Sequence, residues 1–304
     1  MAYLFWTTAL LLFSSLEVVS KPIMGQVDPF TMTFMRFFIG GLFLFFISFL
    51  INGFSYQKAA KSIEAGRILT HGKGDIAKPL HQVMIKADFL KILFIGSLNT
   101  IFSMTMLQLS VKYSNASSAA TLISTSPLFT ALFAYLIISE KVSQRKKIGI
   151  GLGLVGIFTF GLGMLEGDTF LGILFGIIAS VTFGMYSVLL RRHIARYGPL
   201  RCTAYSTFFP SLIYGLLLLL AGQLKIPALN AQGWLIVFYL GICVTGIAYY
   251  ALLEAVNRMG ATIAMRLFYV KPVVATLFAL IFLSEPVGMV KIVGMGIIIF
   301  SLFL

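Results

Sequence analysis

Charged residues are scarce in this chain. Of its 304 residues 11% are charged and 59% are hydrophobic, whereas soluble domains carry about 25% charged residues. The composition therefore excludes an ordinary soluble protein. Acidic residues are especially few, with 10 Asp and Glu against 23 Lys and Arg.

Cysteine, histidine and nucleotide-binding motifs are scarce as well. The two cysteines, Cys202 and Cys243, lie in or beside different predicted helices and imply no disulfide framework. The three histidines have no metal-ligand spacing. We find no phosphate-binding loop and no catalytic-triad pattern. The sequence therefore predicts neither a metal nor a cofactor, and it argues against an enzyme and against an ATP-driven pump built from this chain alone.

Long apolar runs fill most of the chain. A membrane crossing needs about 20 apolar residues, and it must be helical because lipid offers no partner for backbone polar groups. We therefore predict an all-α integral membrane protein. Its ten predicted spans cover residues 2–20, 31–51, 89–109, 116–138, 147–165, 169–190, 202–222, 233–253, 261–283 and 288–304. The first is interpreted as a retained helix rather than a signal peptide, because no charged residue precedes Glu17.

The basic residues predict the orientation. Sixteen of the 23 Lys and Arg residues fall at one side, in or beside residues 52–88, 140–147, 191–201 and 255–259. Four lie at the other side: Lys21, Lys112, Lys225 and Lys291. Positive residues concentrate on the cytoplasmic side, so both termini are predicted to be cytoplasmic in a plasma or inner membrane. The net charge of +13 then reflects topology, and no nucleic-acid partner is expected.

The second half of the chain repeats the first. An offset of 145 residues aligns Gly96 with Gly241 and Pro127 with Pro272, with roughly seventeen identities over about 56 positions. Five predicted helices per half give the halves opposite orientations. We therefore predict two repeats, residues 1–166 and 167–304, with a cytoplasmic insertion at 52–88. Inverted repeats in a membrane indicate a transporter.

Each half resembles an EamA domain of the drug/metabolite transporter superfamily. The residues that carry the resemblance are Trp6, Ser20-Lys21, Asp28-Pro29, Arg36, Ser126-Pro127, Ser139-Glu140 and Gly149 in the first half, and Lys271-Pro272, Ser284-Glu285 and Gly294 in the second. The resemblance implies ten helices, both termini in the cytoplasm, a central cavity between the halves, and alternating access without ATP. An uncharged residue usually precedes the second proline in this family, so Lys271 is a departure.

The two aligned prolines predict the walls of the cavity. Proline removes a backbone donor and loosens a helix, and the freed carbonyl groups can line a site. On this basis Ser126, Pro127 and Pro272 are candidate substrate contacts. A simple packing kink is the alternative at each proline.

Two charged residues predicted inside the membrane are the main site candidates. Lys271, the deepest charge, is a candidate anchor for a substrate carboxylate or phosphate; alternatively it is a structural counter-ion. Glu17 is a candidate for substrate binding and proton coupling, because an apolar environment favours a protonated carboxyl group. Its surroundings, residues 16–19, are similar to the first helix of small multidrug resistance transporters. The alternative for Glu17 is an ion pair with Lys21 or with Lys271.

Other residues receive secondary roles. Arg36 and Arg266 are predicted to reach an interface, with Arg36 structural. Glu140 and Glu285 are predicted to brace loops at the aqueous edge. The remaining candidate cavity contacts are Tyr269, Tyr186 and Asn99. For the aromatic residues an interfacial belt is the alternative.

Together these features predict a secondary transporter that exports a small polar metabolite, with an amino acid as first choice. The alternatives are a proton-coupled exporter of drugs or organic cations and an exchanger of phosphorylated metabolites. A membrane enzyme or a scaffold is disfavoured. The expected partners are a small-molecule substrate and the lipid bilayer, and a homodimer stays open.

Overall fold

The computed structural model describes residues 1–64, 84–139, 143–163, 167–259 and 264–303. These residues form helices joined by short connections, and no strand occurs among them. The main α-helices are α1 Ala2–Ser20, α2 Pro29–Glu64, α3 Lys86–Ser97, α4 Met104–Tyr113, α5 Ala116–Ile123, α6 Ser126–Ile138, α7 Gln144–Leu162, α8 Phe170–Tyr197, α9 Pro199–Leu220, α10 Ala231–Phe238, α11 Ala248–Met259, α12 Leu267–Leu283 and α13 Met289–Phe303. Within these described ranges the all-α prediction is confirmed.

Several of these helices join into longer rods that can cross a membrane. Among the described residues, 7 helices are long and apolar enough to span a bilayer, and three shorter apolar helices cover Lys147–Leu162, Leu267–Leu283 and Met289–Phe303. Bulky apolar side chains such as Phe49, Phe158 and Phe282 are exposed on their outer faces. Because water would not cover such a surface favourably, the chain is a multi-pass membrane protein.

Two helices extend into the predicted insertion at 52–88. Helix α2 continues to Glu64, and α3 begins at Lys86, so helical structure covers both ends of that range. Residues 65–83, together with Glu140, lie outside the described residues.

The 145-residue repeat is visible in local backbone geometry. A π-helical segment, Leu98–Ser103, joins α3 to α4, and a second one, Tyr239–Ile247, joins α10 to α11; these segments overlap under the offset. Ser139 and Ser284, also equivalent, end α6 and α12 with φ of 55° and 52°. They are the only described non-glycine residues with positive φ. The same local conformations thus recur at equivalent positions of the two halves.

The two prolines do not occupy equivalent backbone positions. Pro127 is the second residue of α6, directly after the chain turns at Ser124 and Thr125. Pro272 instead lies inside α12. Under the 145-residue offset, α12 begins about one helical turn earlier than α6 does. The interruption between consecutive helices therefore comes directly before Pro127, whereas Pro272 lies further inside its helix.

Helices of the first half pack mainly on helices of the second. Helix α1 lies against α11 and α12, while α8 lies against α4, α5 and α6. Helix α2 contacts α9 and the segment Tyr239–Ile247, and α7 contacts α13. The interior of the molecule is therefore built between the halves, and the candidate site lies there.

The contact of α7 with α13 can be tested with two neighbouring glycines. A Cβ at Gly294 would lie 2.6 Å from the Phe160 backbone nitrogen, whereas one at Gly296 would meet nothing within 4 Å. We expect Gly294→Ala to lower the free energy of unfolding by about 1–3 kcal/mol through overpacking. The control, Gly296→Ala, should leave it unchanged or raise it by up to about 1 kcal/mol through helix propensity. Thermal unfolding in detergent measures both, and equal losses would contradict this packing.

Candidate functional site

A chamber lies in the interior, between α1, α2, α4, α5, α8, α11 and α12. Its volume is about 50 Å³. The lining residues are Phe13, Leu16, Arg36, Met104, Leu107, Ile123, Phe183, Tyr249, Leu252, Phe268 and Lys271. Apolar and aromatic side chains therefore form most of the wall, and two basic groups point into it.

Lys271 is bound by a carboxylate on the opposite half of the molecule. Its Nζ donates a hydrogen bond of 2.7 Å to Oε1 of Glu17, and the side chains are 5% and 0% exposed. Of the partners considered for Glu17 from the sequence, the structure therefore shows Lys271. Lys21 is directed elsewhere, since its Nζ donates to the backbone oxygens of Val111 and Ser114.

Arg36 is the second basic group of the chamber, and it does not reach an interface. Its side chain is 1% exposed, because α2 places it seven residues inside the helix that starts at Pro29, facing the other half. Its Nε donates to Oγ1 of Thr245 at 3.0 Å, and its Nη2 contacts Sδ of Met104 at 3.6 Å. Its Nη1 is buried without a hydrogen-bond partner in the described structure.

A larger vestibule lies next to the chamber. Its volume is about 280 Å³, and its lining residues are Ser126, Pro127, Thr130, Ala131, Ala134, Phe183, Ser187, Arg191, Met265 and Phe268. Arg191 and Ala134 belong to the carboxyl-terminal parts of α8 and α6, so the vestibule extends toward the end of the bundle where those helices finish. That end, which also carries Arg196 and Arg201, is called the basic end.

Two aromatic rings separate the vestibule from the chamber. Phe183 and Phe268 line both cavities, and their ring centroids are 6.5 Å apart. A side-chain rotation of either ring would change the connection between the two spaces.

The opposite end of the bundle, called here the network end, is closed by polar contacts. Glu285 accepts hydrogen bonds from the backbone nitrogens of Ala116 and Ser117 at 2.7 and 3.0 Å, and from Oγ of Ser117 at 2.9 Å. It therefore caps the start of α5, where free N–H groups and the helix dipole favour an anion. Glu285 braces a neighbouring segment in this way, but it is 6% exposed and does not lie at an aqueous edge.

A second ion pair completes the network end. Lys291 forms an ion pair with Asp168, and its Nζ also donates to Oγ of Ser118 at 2.8 Å. Asp168 in turn accepts from the backbone nitrogen of Asn115 at 3.0 Å. The amino ends of α5, α8 and α13 are thus tied together by charged hydrogen bonds, which are stronger than neutral ones.

The other predicted contacts lie outside the chamber wall. Tyr186 is buried with its hydroxyl group 3.1 Å from Oγ of Ser206. Asn99 is buried in the first π-helical segment, with Oδ1 unpartnered in the described structure.

The remaining predicted contacts lie on or near α12 and α6. Tyr269 packs its ring against Phe303, and Pro272 is buried inside α12. Ser126 and Pro127 line the vestibule, and Arg266 is exposed.

Sequence reasoning missed three features of the chamber. It assigned Arg36 a structural role, although Arg36 faces the cavity. It also did not single out Phe183, or Phe13, whose ring stands edge-on to Tyr249 at 5.1 Å. A signal was available for Arg36, since a charged residue in the interior of a membrane span is a functional candidate by default.

Known proteins match this chain over 61% to 99% of its length. An uncharacterized transporter of Clostridium kluyveri is 27% identical over 98% of this chain and 90% of its own length. The uncharacterized transporter YetK of Bacillus subtilis is 24% identical over 99% of this chain and 86% of its own length. The uncharacterized inner membrane transporter YedA of Escherichia coli K12 is 29% identical over 61% of this chain and 60% of its own length.

A solved crystal structure of a protein matches with a TM-score of 0.63, covering 99% of this chain and 94% of that one. At 21% identity this likeness shows the fold alone. The EamA-like transporter family matches residues 1–162 and again residues 170–304. The two matches together span nearly all of the chain, and the resemblance seen in its residues is thereby confirmed. This chain belongs to the EamA-like transporter family.

Proposed function

We propose that this membrane transporter moves a small polar metabolite, an amino acid in the first place, by alternating access without ATP. The observation that carries the proposal is a central chamber with buried charges. A vestibule adjoins this chamber toward the basic end, and the polar contacts of the network end close the opposite side. A secondary transporter needs a site that reaches one side at a time. The family and its named relatives support transport in general.

The architecture proposed for this mechanism is ten membrane helices arranged as two inverted repeats, residues 1–166 and 167–304. Three observations support it. The family matches each half separately, the π-helical segments and the left-handed serines recur at the same offset, and helix contacts such as α1 with α11 have counterparts such as α8 with α4.

The proposed orientation places the basic end in the cytoplasm of a cell with an inner or plasma membrane, and both termini with it. The concentration of Lys and Arg at that end supports this assignment. The vestibule then faces the cytoplasm, and the network end faces outward. Export would begin from this state, with substrate entering between Phe183 and Phe268.

Glu17 is proposed as the proton-coupling residue. Its pairing with Lys271 joins α1 to α12, which belong to different halves, and its Oε2 is buried without a hydrogen-bond partner. Protonation of this carboxyl group would remove the charge that holds Lys271. The contact between the halves would then weaken, which links a proton to the relative movement of the repeats.

Transport is tested with purified protein in proteoliposomes under an imposed pH gradient, using labelled amino acids, quaternary cations and sugar phosphates. We expect amino-acid flux driven by the gradient. Glu17→Gln should still carry substrate down its own concentration gradient but lose the response to pH. Glu254→Gln, which alters an exposed pair with Arg258, is the matched control and should respond normally. Flux of quaternary cations alone would favour a drug exporter instead.

The direction in which the vestibule opens is tested by cysteine labelling after Cys202 and Cys243 are replaced by Ala. Ser187→Cys lines the vestibule, and Gln26→Cys is exposed at the network end. A membrane-impermeant maleimide should label Ser187→Cys only from the cytoplasmic side and Gln26→Cys only from the other. Labelling of Ser187→Cys from the outer side would contradict the proposed orientation.

The buried pair is tested by a double-mutant cycle. Breaking a buried ion pair from one side costs about 3–5 kcal/mol, because the remaining charge is uncompensated. We expect Glu17→Gln and Lys271→Met each to lower the free energy of unfolding by about this amount. The double variant should recover most of the loss. Additive losses, measured by thermal unfolding in detergent, would mean that the pair does not hold α1 to α12.

A further inference from the structure

We propose that Arg36 is the carboxylate-binding residue of the chamber, and that the chamber recognises small organic monocarboxylates with an apolar body, whether or not they carry an ammonium group. The inference rests on the proposed transport function and names the chemistry of its substrate. It assigns the anion to Arg36 on α2 and not to Lys271 on α12.

The charges around the chamber leave an excess of one positive charge. Lys271 and Arg36 both line it, and Glu17 is the acid close enough to interact with either of them. The other acidic side chains that the structure describes are engaged elsewhere. Asp28 accepts from its own helix start, Asp88 binds Arg196, Asp168 binds Lys291, Glu254 binds Arg258, and Glu285 caps α5.

Glu17 accepts a hydrogen bond from one of the two cations and not from the other. It accepts a hydrogen bond from Lys271, whereas Arg36 donates to a neutral hydroxyl group and to a sulfur atom. Lys271 is therefore the neutralised cation, and Arg36 carries the excess charge. A charge in an apolar interior is costly unless it is paired, so an entering anion would be stabilised most at Arg36.

The free edge of the guanidinium group fits a carboxylate. Nη1 is buried without a hydrogen-bond partner, and Nη2 has only Sδ of Met104, a weak acceptor. The face of the group lies over the Phe37 ring, 4.7 Å from its centroid, which leaves the edge free. Two parallel N–H groups can bind the two oxygens of one carboxylate, which is the preferred geometry of such pairs. Thr245 holds Nε from the other side, so the fork is already oriented.

The rest of the wall suits an apolar body and offers no carboxylate to pair with an ammonium group. Phe13, Leu107, Ile123, Leu252 and Phe268 line the chamber. The two charged groups that line the chamber, those of Arg36 and Lys271, are both cations that donate hydrogen bonds. Glu17 itself is not among the lining residues. An ammonium group on the ligand would therefore gain little, and a free organic cation would meet net positive charge.

Size limits the ligand as well. The chamber of about 50 Å³ holds little more than a carboxylate group, because one liquid water already takes about 30 Å³. A longer body would displace Phe183 or Phe268 toward the vestibule. A dianion such as a sugar phosphate would exceed both this space and the single positive charge. The chemistry therefore favours a compact monoanion.

The test measures binding to the full-length protein in detergent by isothermal titration calorimetry. The probes are acetate, butanoate and 4-methylpentanoate, with 4-methylpentanamide, 3-methylbutylamine and L-leucine for comparison. At ~10 mM ligand a Kd of ~1 mM would be detected. We expect at least one free carboxylate to bind, 4-methylpentanoate to bind no more weakly than leucine, and the amide and the amine to bind on the order of 10-fold more weakly or not at all.

Arg36→Gln should weaken carboxylate binding on the order of 10- to 100-fold, as expected for a lost charged hydrogen bond. The matched control is Arg196→Gln at the basic end, which should bind as the wild type does. If Arg36→Gln does not fold, the comparison of acid with amide in the wild-type protein still decides whether the carboxylate is recognised, and Arg36→Lys, which keeps the charge but loses the fork, should bind the acid more weakly.

Four results would overturn the inference. They are no binding by any carboxylate, equal binding of 4-methylpentanoate and its amide, tighter binding of leucine than of 4-methylpentanoate by on the order of 10-fold or more, or normal carboxylate binding by Arg36→Gln. If the last result came with a loss of binding in the double variant Glu17→Gln/Lys271→Met, the anion would be assigned to Lys271. Because binding is measured apart from flux, each of these results leaves the proposed transport function standing, and absence of flux in proteoliposomes would leave the binding result standing.

Discussion

Glu17 and Lys271 lie in an interior that excludes water, and most of the architecture around them follows from that placement. Each charge alone would cost several kcal/mol to bury, so the two must stay within hydrogen-bond distance, 2.7 Å in this structure. One is on α1 and the other on α12, so their contact also fixes the two halves against each other. The aromatic wall of the chamber forms where those helices meet α2, α8 and α11.

The two ends of the bundle differ in how they are closed. At the network end Glu285 takes the free N–H groups at the start of α5, and Lys291 is held by Asp168. At the basic end the vestibule lies beside α6 and α8. Related halves therefore adopt different arrangements in one structure, as the position of Pro127 after a turn and of Pro272 inside a helix also shows. A protein that alternates between two states would show such an asymmetry in each state.

Much of the fold could be predicted from the sequence, because lipid permits helices only and the repeat marks equivalent positions. Ser139 and Ser284, aligned by residue type alone, adopt the same left-handed conformation. The partners of buried groups could not be predicted in the same way. The binding of Glu285 to backbone nitrogens of α5 depends on how two helix ends meet, and sequence carries no signal for that. Arg36 was assigned to an interface because its distance from the helix end suggested snorkelling, while the face it presents depends on the packing of α2 against α9 and the second π-helical segment.

The π-helical segments connect these observations to the chamber. A π-helix leaves some backbone groups without their usual partner and rotates the side chains that follow it. In Tyr239–Ile247 this geometry directs Thr245 at Arg36, and its own hydroxyl group donates to the Leu240 oxygen, five residues earlier. Thr245 thus accepts from Nε, while the other edge of the guanidinium group meets only Sδ of Met104. A guanidinium group that is held by one edge and open at the other has the geometry of a binding residue.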